Sequence, residues 1–332
     1  MKVIALEEHF ATVDVIDAWQ KVEPRWQDLS LQMATQGQVA ERLTDLGDGR
    51  IAAMEAGGID RSVLSLTAPG LHNLERADAV ALQGPVNDAL AAAVAAHPDR
   101  LGGFATLALP DPTAAASELE RAVTQLGFDG AMVFSHTRGR PLDHPDNWAV
   151  FETAAALRAP LYLHPQSPPP DVRGAYYGGL GGTAELALAT FGVGWHYDAG
   201  LALLRLIVAG VFDRFPDLQV ILGHWGEVVL FYLDRIDNIS AVTGLGRPIS
   251  EYFRTNVHVT PGGIFSQRYF RWALEVMGPE RIMFACDYPF VSAPPGGCDG
   301  FLDAAELSDA DRELIASGNW QRLVAGIRRG SS

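Results

Sequence analysis

Four stretches of this 332-residue chain place metal-ligating side chains at or just past the end of an apolar run. The first is Glu7-Glu8-His9 in ALEEHF. Side chains alternate along an extended backbone, so Glu7 and His9 point one way and Glu8 the other. A carboxylate and an imidazole so spaced can share one divalent ion; a solvated loop after the strand is the plainer reading. The second is His164 in PLYLHPQSPPP, where prolines fix the backbone beyond the histidine. Its plainer reading is a core histidine hydrogen-bonded to main chain. The third is His224 in VILGHWGE, with Glu227 three residues on. If a helix starts near Trp225, Glu227 lies in its first turn and can accept a proton from the His224 imidazole, fixing its tautomer. It would equally complement the helix dipole there. The fourth is Asp287 in RIMFACDYPF. A carboxylate ending a buried strand is costly unless paired or metal-bound, although it could also cap the next segment. Cys286 beside it should face the other way, as a small buried hydrophobe.

Together Glu7, His9, His164 and Asp287 supply nitrogen and oxygen ligands suited to zinc or manganese, with His224 as an adjacent proton handler. Two arginines add a means of holding an acidic substrate, because guanidinium pairs bidentately with carboxylate. They are Arg50 in GDGRIAAMEAGGID and Arg235 in FYLDRIDN. A helix-surface ion pair is the alternative for both, and Asp234 and Asp237 lie close to Arg235. His136, following GAMVFS, is a candidate substrate contact. The chain has no GxSxG elbow, no CxxC and no HExxH, which leaves the other common hydrolytic and redox chemistries without support.

Such side chains need elements to gather them. Strand-like apolar runs fall at residues 3–6, 62–66, 101–107, 130–134, 160–163, 219–222, 255–259 and 282–284. Helix patterns lie between them, at 77–97, 114–126, 146–158, 200–211, 227–242, 266–277 and 308–328. Eight strands alternating with helices predict an α/β fold of the (β/α)8 TIM-barrel type, in which the C-terminal strand ends converge on one mouth. An open doubly wound sheet is the competitor, but no Gly-rich phosphate turn follows the first strand. Residues 11–45 and 165–198 break the alternation and are expected as irregular insertions near the site. Neither a repeat nor a linker divides the chain, so 1–332 is expected as a single domain.

Composition narrows the partners. Twenty-five Lys and Arg against 40 Asp and Glu leave a formal charge of -15, which argues against a nucleic-acid backbone or an anionic membrane. Two cysteines cannot build a disulfide framework. No run approaches the roughly 20 apolar residues of a membrane span, and charged Glu7 and Glu8 interrupt any signal-peptide core. A cytoplasmic protein is the expectation.

The ordered segments ALEEHF, GDGRIAAMEAGGIDRSVLSLTAPG, HPDRLGGFATLALPDP, LGFDGAMV, PLYLHPQSPPP, GVFDRFPDLQVILGHWGE, the arginine of LDRID and RIMFACDYPF resemble the amidohydrolase-related decarboxylases. The γ-resorcylate and dihydroxybenzoate decarboxylases look nearest, and aminocarboxymuconate semialdehyde decarboxylase more distant. The resemblance spans nearly the whole chain. It implies a distorted (β/α)8 barrel holding one zinc or manganese ion on Glu7, His9, His164 and Asp287, with no organic cofactor. His224 would lie close to the metal and Glu227 behind it. Arg50 and Arg235 would contact a substrate carboxylate or a neighbouring subunit's site, which implies a homodimer or homotetramer. Glu-x-His at the start matches the resorcylate branch rather than the His-x-His of hydrolytic relatives. VTPGG at 259–263 and CDYPF depart from the usual pattern near the expected pocket. The implied activity is non-oxidative decarboxylation of a small hydroxylated aromatic acid, with Asp287 or His224 as proton donor. A metal-dependent hydrolase or hydratase of a lactone, amide or unsaturated acid is the alternative.

Overall fold

The computed structural model describes residues 1–330; the last two residues of the expected 1–332 domain lie outside the described residues. Seven strands form one parallel sheet in chain order. They are β1 (Ile4–Phe10), β2 (Arg61–Leu66), β3 (Leu101–Thr106), β4 (Gly130–Phe134), β5 (Leu161–His164), β6 (Val220–Leu222) and β7 (Val257–Val259). Their continuous apolar character follows from burial on both faces. Ile4, Leu6, Val63, Phe104, Met132, Tyr162, Ile221 and Met283 pack together with Trp320 on the inner face. Alternate residues, among them Val3, Ala5, Leu64, Ala105, Val133, Leu163 and Leu222, belong to a second core shared with the helices. A strand buried on both sides needs no polar face, which is why the runs do not alternate.

The sheet curls around its inner core. Val259 bridges to Ile282, Ala5 to Phe284 and Glu8 to Tyr288, all in parallel sense. Met283 N–H donates to the Val259 carbonyl at 2.9 Å and Leu6 N–H to the Phe284 carbonyl at 3.1 Å. Residues 282–288 thus link the two outer strands, giving an α/β barrel-like fold. Where an eighth strand is expected at 282–284, the chain makes single bridges, because this short segment pairs with β7 at one residue and with β1 at others.

A bulge shapes β1. Ala5 pairs with Ser62 but Glu8 pairs with Leu64, so three steps on β1 face two on β2. Bulges re-aim side chains next to functional sites. Here Leu6 joins the inner core while Glu7 also turns inward, to accept a hydrogen bond from the inner-core residue Tyr162. Glu8 faces outward and accepts from Cys286 N–H at 2.8 Å.

The main helices are α1 (Arg76–Ala96), α2 (Pro112–Thr124), α3 (Trp148–Leu157), α4 (Gly194–Val208) and α5 (Gln267–Met277). The expected helix at 308–328 runs from Asp309 to Val324 with a π-helical segment at Leu314–Gly318, and the one expected at 227–242 runs from Val229 to Thr243 as alternating 3-10 and α turns. The two insertions are largely helical rather than irregular, with helices at Val13–Lys21, Gly37–Thr44 and Gly182–Ala187. They are tied together by Asp28, whose carboxylate accepts from Ser167 N–H and Ser167 Oγ–H, both at 2.9 Å. One helix, Arg76–Ala96, does reach the length and apolarity of a membrane span, contrary to the expectation of none. It packs on the sheet instead: the Asn87 amide donates to the Thr106 carbonyl at 3.0 Å and its oxygen accepts from Thr106 N–H at 2.8 Å.

Two buried histidines couple this fold to pH. Burial pushes His72 down to about 3 from 6.5, and burial with Arg281 alongside does the same to His258. Both are neutral in the folded chain, whereas the unfolded chain protonates them first. Stability is therefore fully present above about 6.5 and falls as pH drops towards 3. We expect His258→Gln to shallow the slope of unfolding free energy against pH in this window by up to about 1.4 kcal/mol per pH unit. Denaturant titrations between pH 4 and 6.5 check this; parallel slopes for the two proteins would refute it.

Candidate metal centre and the histidines beside it

Glu7 and His9 come from β1, His164 ends β5, and Asp287 follows the segment that bridges the sheet's outer strands. One ligand atom from each of the four lies within 4.8 Å of the others. His164 Nε2 is 3.2 Å from Glu7 Oε1, and His9 Nε2 is 3.3 Å from Asp287 Oδ1. The remaining atoms of these side chains are anchored elsewhere. Tyr162 Oη–H donates to Glu7 Oε2 at 2.5 Å, and its oxygen lies 2.8 Å from Thr260 Oγ1. His164 Nδ1–H donates to the Pro165 carbonyl at 2.6 Å. His9 Nδ1 lies 3.2 Å from Ser65 Oγ. Such outer partners orient a ligating histidine and leave its other nitrogen free to bind.

The inward atoms fit a divalent ion. Glu7 Oε1 and His9 Nε2 are buried with no hydrogen-bond partner, a condition that native proteins rarely leave uncompensated. Two imidazoles and two carboxylates match the ligand preferences of zinc and manganese. The electrostatics agree. Burial alone would raise Glu7, but His224, His164 and His9 outweigh it and hold its carboxyl well below the usual range. Burial and the Glu7 charge together drive Asp287 well above its ordinary value. Opposite shifts of this kind are what two carboxylates sharing one buried space produce. Burial, with His164 adding to it, keeps His9 neutral and hence competent as a ligand.

Beyond β6 the backbone does something the sequence pattern does not announce. His224, Trp225, Gly226, Glu227 and Val228 all have positive φ, from 48° to 83°. Left-handed backbone costs roughly 1–2 kcal/mol per non-glycine residue. Expected here was a right-handed helix starting near Trp225; this turn replaces it, so the dipole reading of Glu227 falls. Trp225 N–H donates to the Thr260 carbonyl at 2.8 Å and Trp225 Nε1–H to the Ile264 carbonyl at 2.7 Å, holding the turn. Strain of this kind persists only where the surroundings over-determine it. What it achieves is aim: His224 Nδ1–H donates to Glu227 Oε1 at 2.7 Å while Nε2 points to within 3.8 Å of Glu7 Oε1. Burial opposes a charge on His224, yet Glu227 and Glu7 raise it to about 10. Gly262 makes room for the arrangement, since a Cβ there would lie 2.7 Å from His224 N and 2.9 Å from Glu7 Oε2.

The other expected site residues lie apart from this cluster. Arg50 is buried, and its guanidinium donates to the carbonyls of His9 at 2.6 Å, Asp45 at 2.9 Å and Arg42 at 3.1 Å. Through Nε and Nη2 it braces the β1 main chain, while its Nη1 is buried without a hydrogen-bond partner. His136 has both ring nitrogens engaged with main chain: Nε2–H donates to the Ser167 carbonyl at 3.0 Å and Nδ1 accepts from Gly139 N–H at 3.2 Å. No nitrogen remains for a substrate. Arg235 is exposed and has no ion pair among the described residues, despite its acidic neighbours; it sits beside exposed Phe231 and Tyr232. Cys286 is buried in the core shared with the helices, whereas Asp287 joins the histidine–carboxylate cluster, as expected for side chains facing opposite ways. A cavity of about 680 Å³ lies between the two insertions, lined by Asp28, Arg173, Tyr177 and Glu185 among others. None of the cluster residues lines it, and the chemistry outweighs its size.

Two contributors escape the sequence reading. Tyr162 is hidden inside an apolar run as an aromatic, and its hydroxyl counts only once Glu7 is known to face it. His196, in GVGWHYDAG, lies within an insertion, and its Nδ1 is 2.7 Å from Glu227 Oε2.

A parallel sheet curled round a buried histidine–carboxylate cluster sets the class. Residues 16–325 match the family described as Amidohydrolase, and the chain belongs to it. Within that family it is 36% identical to Decarboxylase orsB of Emericella nidulans, over 97% of this chain and 96% of that protein. It is 35% identical to Gamma-resorcylate decarboxylase of a Polaromonas species, over 96% and 97%. In structure it is similar, with a TM-score of 0.89 and 33% identity, to 5-carboxyvanillate decarboxylase of Novosphingobium aromaticivorans. That structure was solved with manganese and 4-hydroxy-3-methoxy-5-nitrobenzoic acid, and the likeness covers 98% of this chain and 96% of that one.

An ion that binds only the folded state stabilises it, by about 2.7 kcal/mol at a hundred times its Kd. We expect manganese or zinc added to chelator-stripped protein to raise the melting temperature, and His9→Ala to remove most of the rise. An equal rise in both proteins would place the ion elsewhere.

Proposed function

We propose that this protein is a divalent-metal-dependent decarboxylase acting on a hydroxylated aromatic acid. The observation that carries the reading is a cluster of four N/O side chains with a histidine, His224, at its edge, whose Nδ1 is held by Glu227 and whose Nε2 faces Glu7. Glu7, His9, His164 and Asp287 would hold the ion. Manganese is supported by the carboxyvanillate enzyme, which was solved with that metal. When bound, the ion supplies Lewis-acid polarisation and a template for the carboxylate and its neighbouring phenol oxygen.

The chain's own residues account for the rest. His224 carries a proton at Nε2 on the cluster side and delivers it to the ring carbon that bears the carboxylate. The new C–H bond interrupts aromaticity; cleavage of the bond to the carboxylate returns its electron pair to the ring and releases carbon dioxide. Glu227 holds Nδ1–H throughout and balances the imidazolium charge. His224 is preferred over Asp287 as donor because Asp287 completes the ligand set. Phe290 and Phe134 set their rings edge-on to His9 and His164, at 5.8 and 5.6 Å between centroids. Arg50 would serve by bracing the His9 main chain.

Metal-loaded protein incubated with benzoates carrying a hydroxyl next to the carboxylate should release carbon dioxide. His224→Asn should lower kcat by about 100-fold to 10,000-fold, the usual worth of a general acid, and Asp287→Ala should be inactive but folded. No carbon dioxide from any such acid would contradict the reading.

A further inference from the structure

Glu227 is wholly buried, and its carboxylate has two hydrogen bonds among the described residues. Oε1 accepts from His224 Nδ1–H at 2.7 Å, and Oε2 lies 2.7 Å from His196 Nδ1. The rings of His196 and His224 lie against each other, with centroids 4.6 Å apart and planes tilted by 59°. The other nitrogen of His196, Nε2, donates to the Phe191 carbonyl at 3.1 Å. Phe191 lies in the turn Leu188–Gly192, which departs from helical geometry at Thr190 (φ -110°, ψ -123°) and exposes Leu188 and Phe191.

The torsion that ends a glutamate side chain is soft and roughly two-fold. One hydrogen bond from His224 would leave the Glu227 carboxylate free to turn about it, with the second oxygen buried and unpartnered. A bond to that second oxygen removes this freedom. His196 provides it, and anchors itself to the Leu188–Gly192 turn through its opposite nitrogen. Both ends of the ring are therefore in use, and the ring is a strut between the turn and the His224–Glu227 pair.

We propose that His196 is a positioning residue for the proton donor. It fixes Glu227 through the carboxylate oxygen that His224 does not hold, so that the alignment of His224 depends on the His196–Glu227 bond. This rests on His224 being the donor. A proton donor displaced by about 1 Å can cost about 100-fold in rate, so loss of the bond to Glu227 should be read in kcat rather than in KM.

Two conservative variants separate positioning from general support. An asparagine amide nitrogen sits near the imidazole Nδ1, and a glutamine amide nitrogen near Nε2. His196→Asn can thus keep the bond to Glu227, and His196→Gln the bond to Phe191. With a substrate that the wild type turns over, we expect His196→Asn to stay within about threefold of wild-type kcat. His196→Gln should fall by about tenfold or more with KM little changed. In metal-free protein the downfield proton resonance of His224 Nδ1–H should persist in the wild type and in His196→Asn, and be lost in His196→Gln. Equal loss in both variants, or an unchanged resonance in His196→Gln, would overturn the proposal. If the wild type turns over no aromatic acid, the functional reading fails, and the resonance comparison alone decides the role of His196.

Discussion

Glu7 stands where every line of force in the site crosses. One of its oxygens accepts from Tyr162 and the other, unpartnered, faces His164 and His224. Asp287 approaches the same space from the far side of His9. Bringing two carboxylates together away from water is unfavourable unless a cation joins them, and no Lys or Arg side chain pairs with either carboxylate among the described residues. That single constraint organises the rest. It accounts for the β1 bulge that turns Glu7 inward, for the outer hydrogen bonds that leave Nε2 of His9 and His164 free, and for the glycine at 262 that clears space beside the carboxylate.

Backbone strain is concentrated around the same point. The left-handed run from His224 to Val228 and the positive φ of Asp287, 64°, flank the cluster on two sides. Both change the direction in which a titratable side chain leaves the main chain. Conformational energy stored at a site and balanced by hydrogen bonds from neighbouring loops is a recurrent feature of preorganised catalysis. Trp225 and Thr260 do the balancing here.

Much of this was legible in the amino-acid sequence, for a physical reason. In a parallel sheet each strand end is marked by an apolar run stopping abruptly, so Glu7, His9, His164, His224 and Asp287 could be placed at one mouth without coordinates. The alternation argument for Glu7 and His9 held because the bulge lies before Glu7, not between the two. Less legible were features that depend on contacts across the fold. Arg50 reads as a ligand-binding cation, and the sequence does not show that two of its nitrogens donate to the carbonyls of His9, Asp45 and Arg42. His136 stands at a strand end like the others, but its nitrogens close a local loop. The helix expected at 227–242 begins only at Val229, because the turn beginning at His224 winds with the opposite hand through Val228, which no periodicity encodes. His196 lay in a segment without pattern, and its meaning comes wholly from Glu227.

The most direct test is where an ion binds. Crystals of the chelator-stripped protein soaked in zinc, with diffraction recorded on both sides of the metal's absorption edge, should show one anomalous peak bonded to Glu7, His9, His164 and Asp287. The bond lengths should be about 2.0–2.2 Å. A peak held instead by His196, His224 and Glu227, or no ordered ion at the four-ligand cluster, would contradict the account.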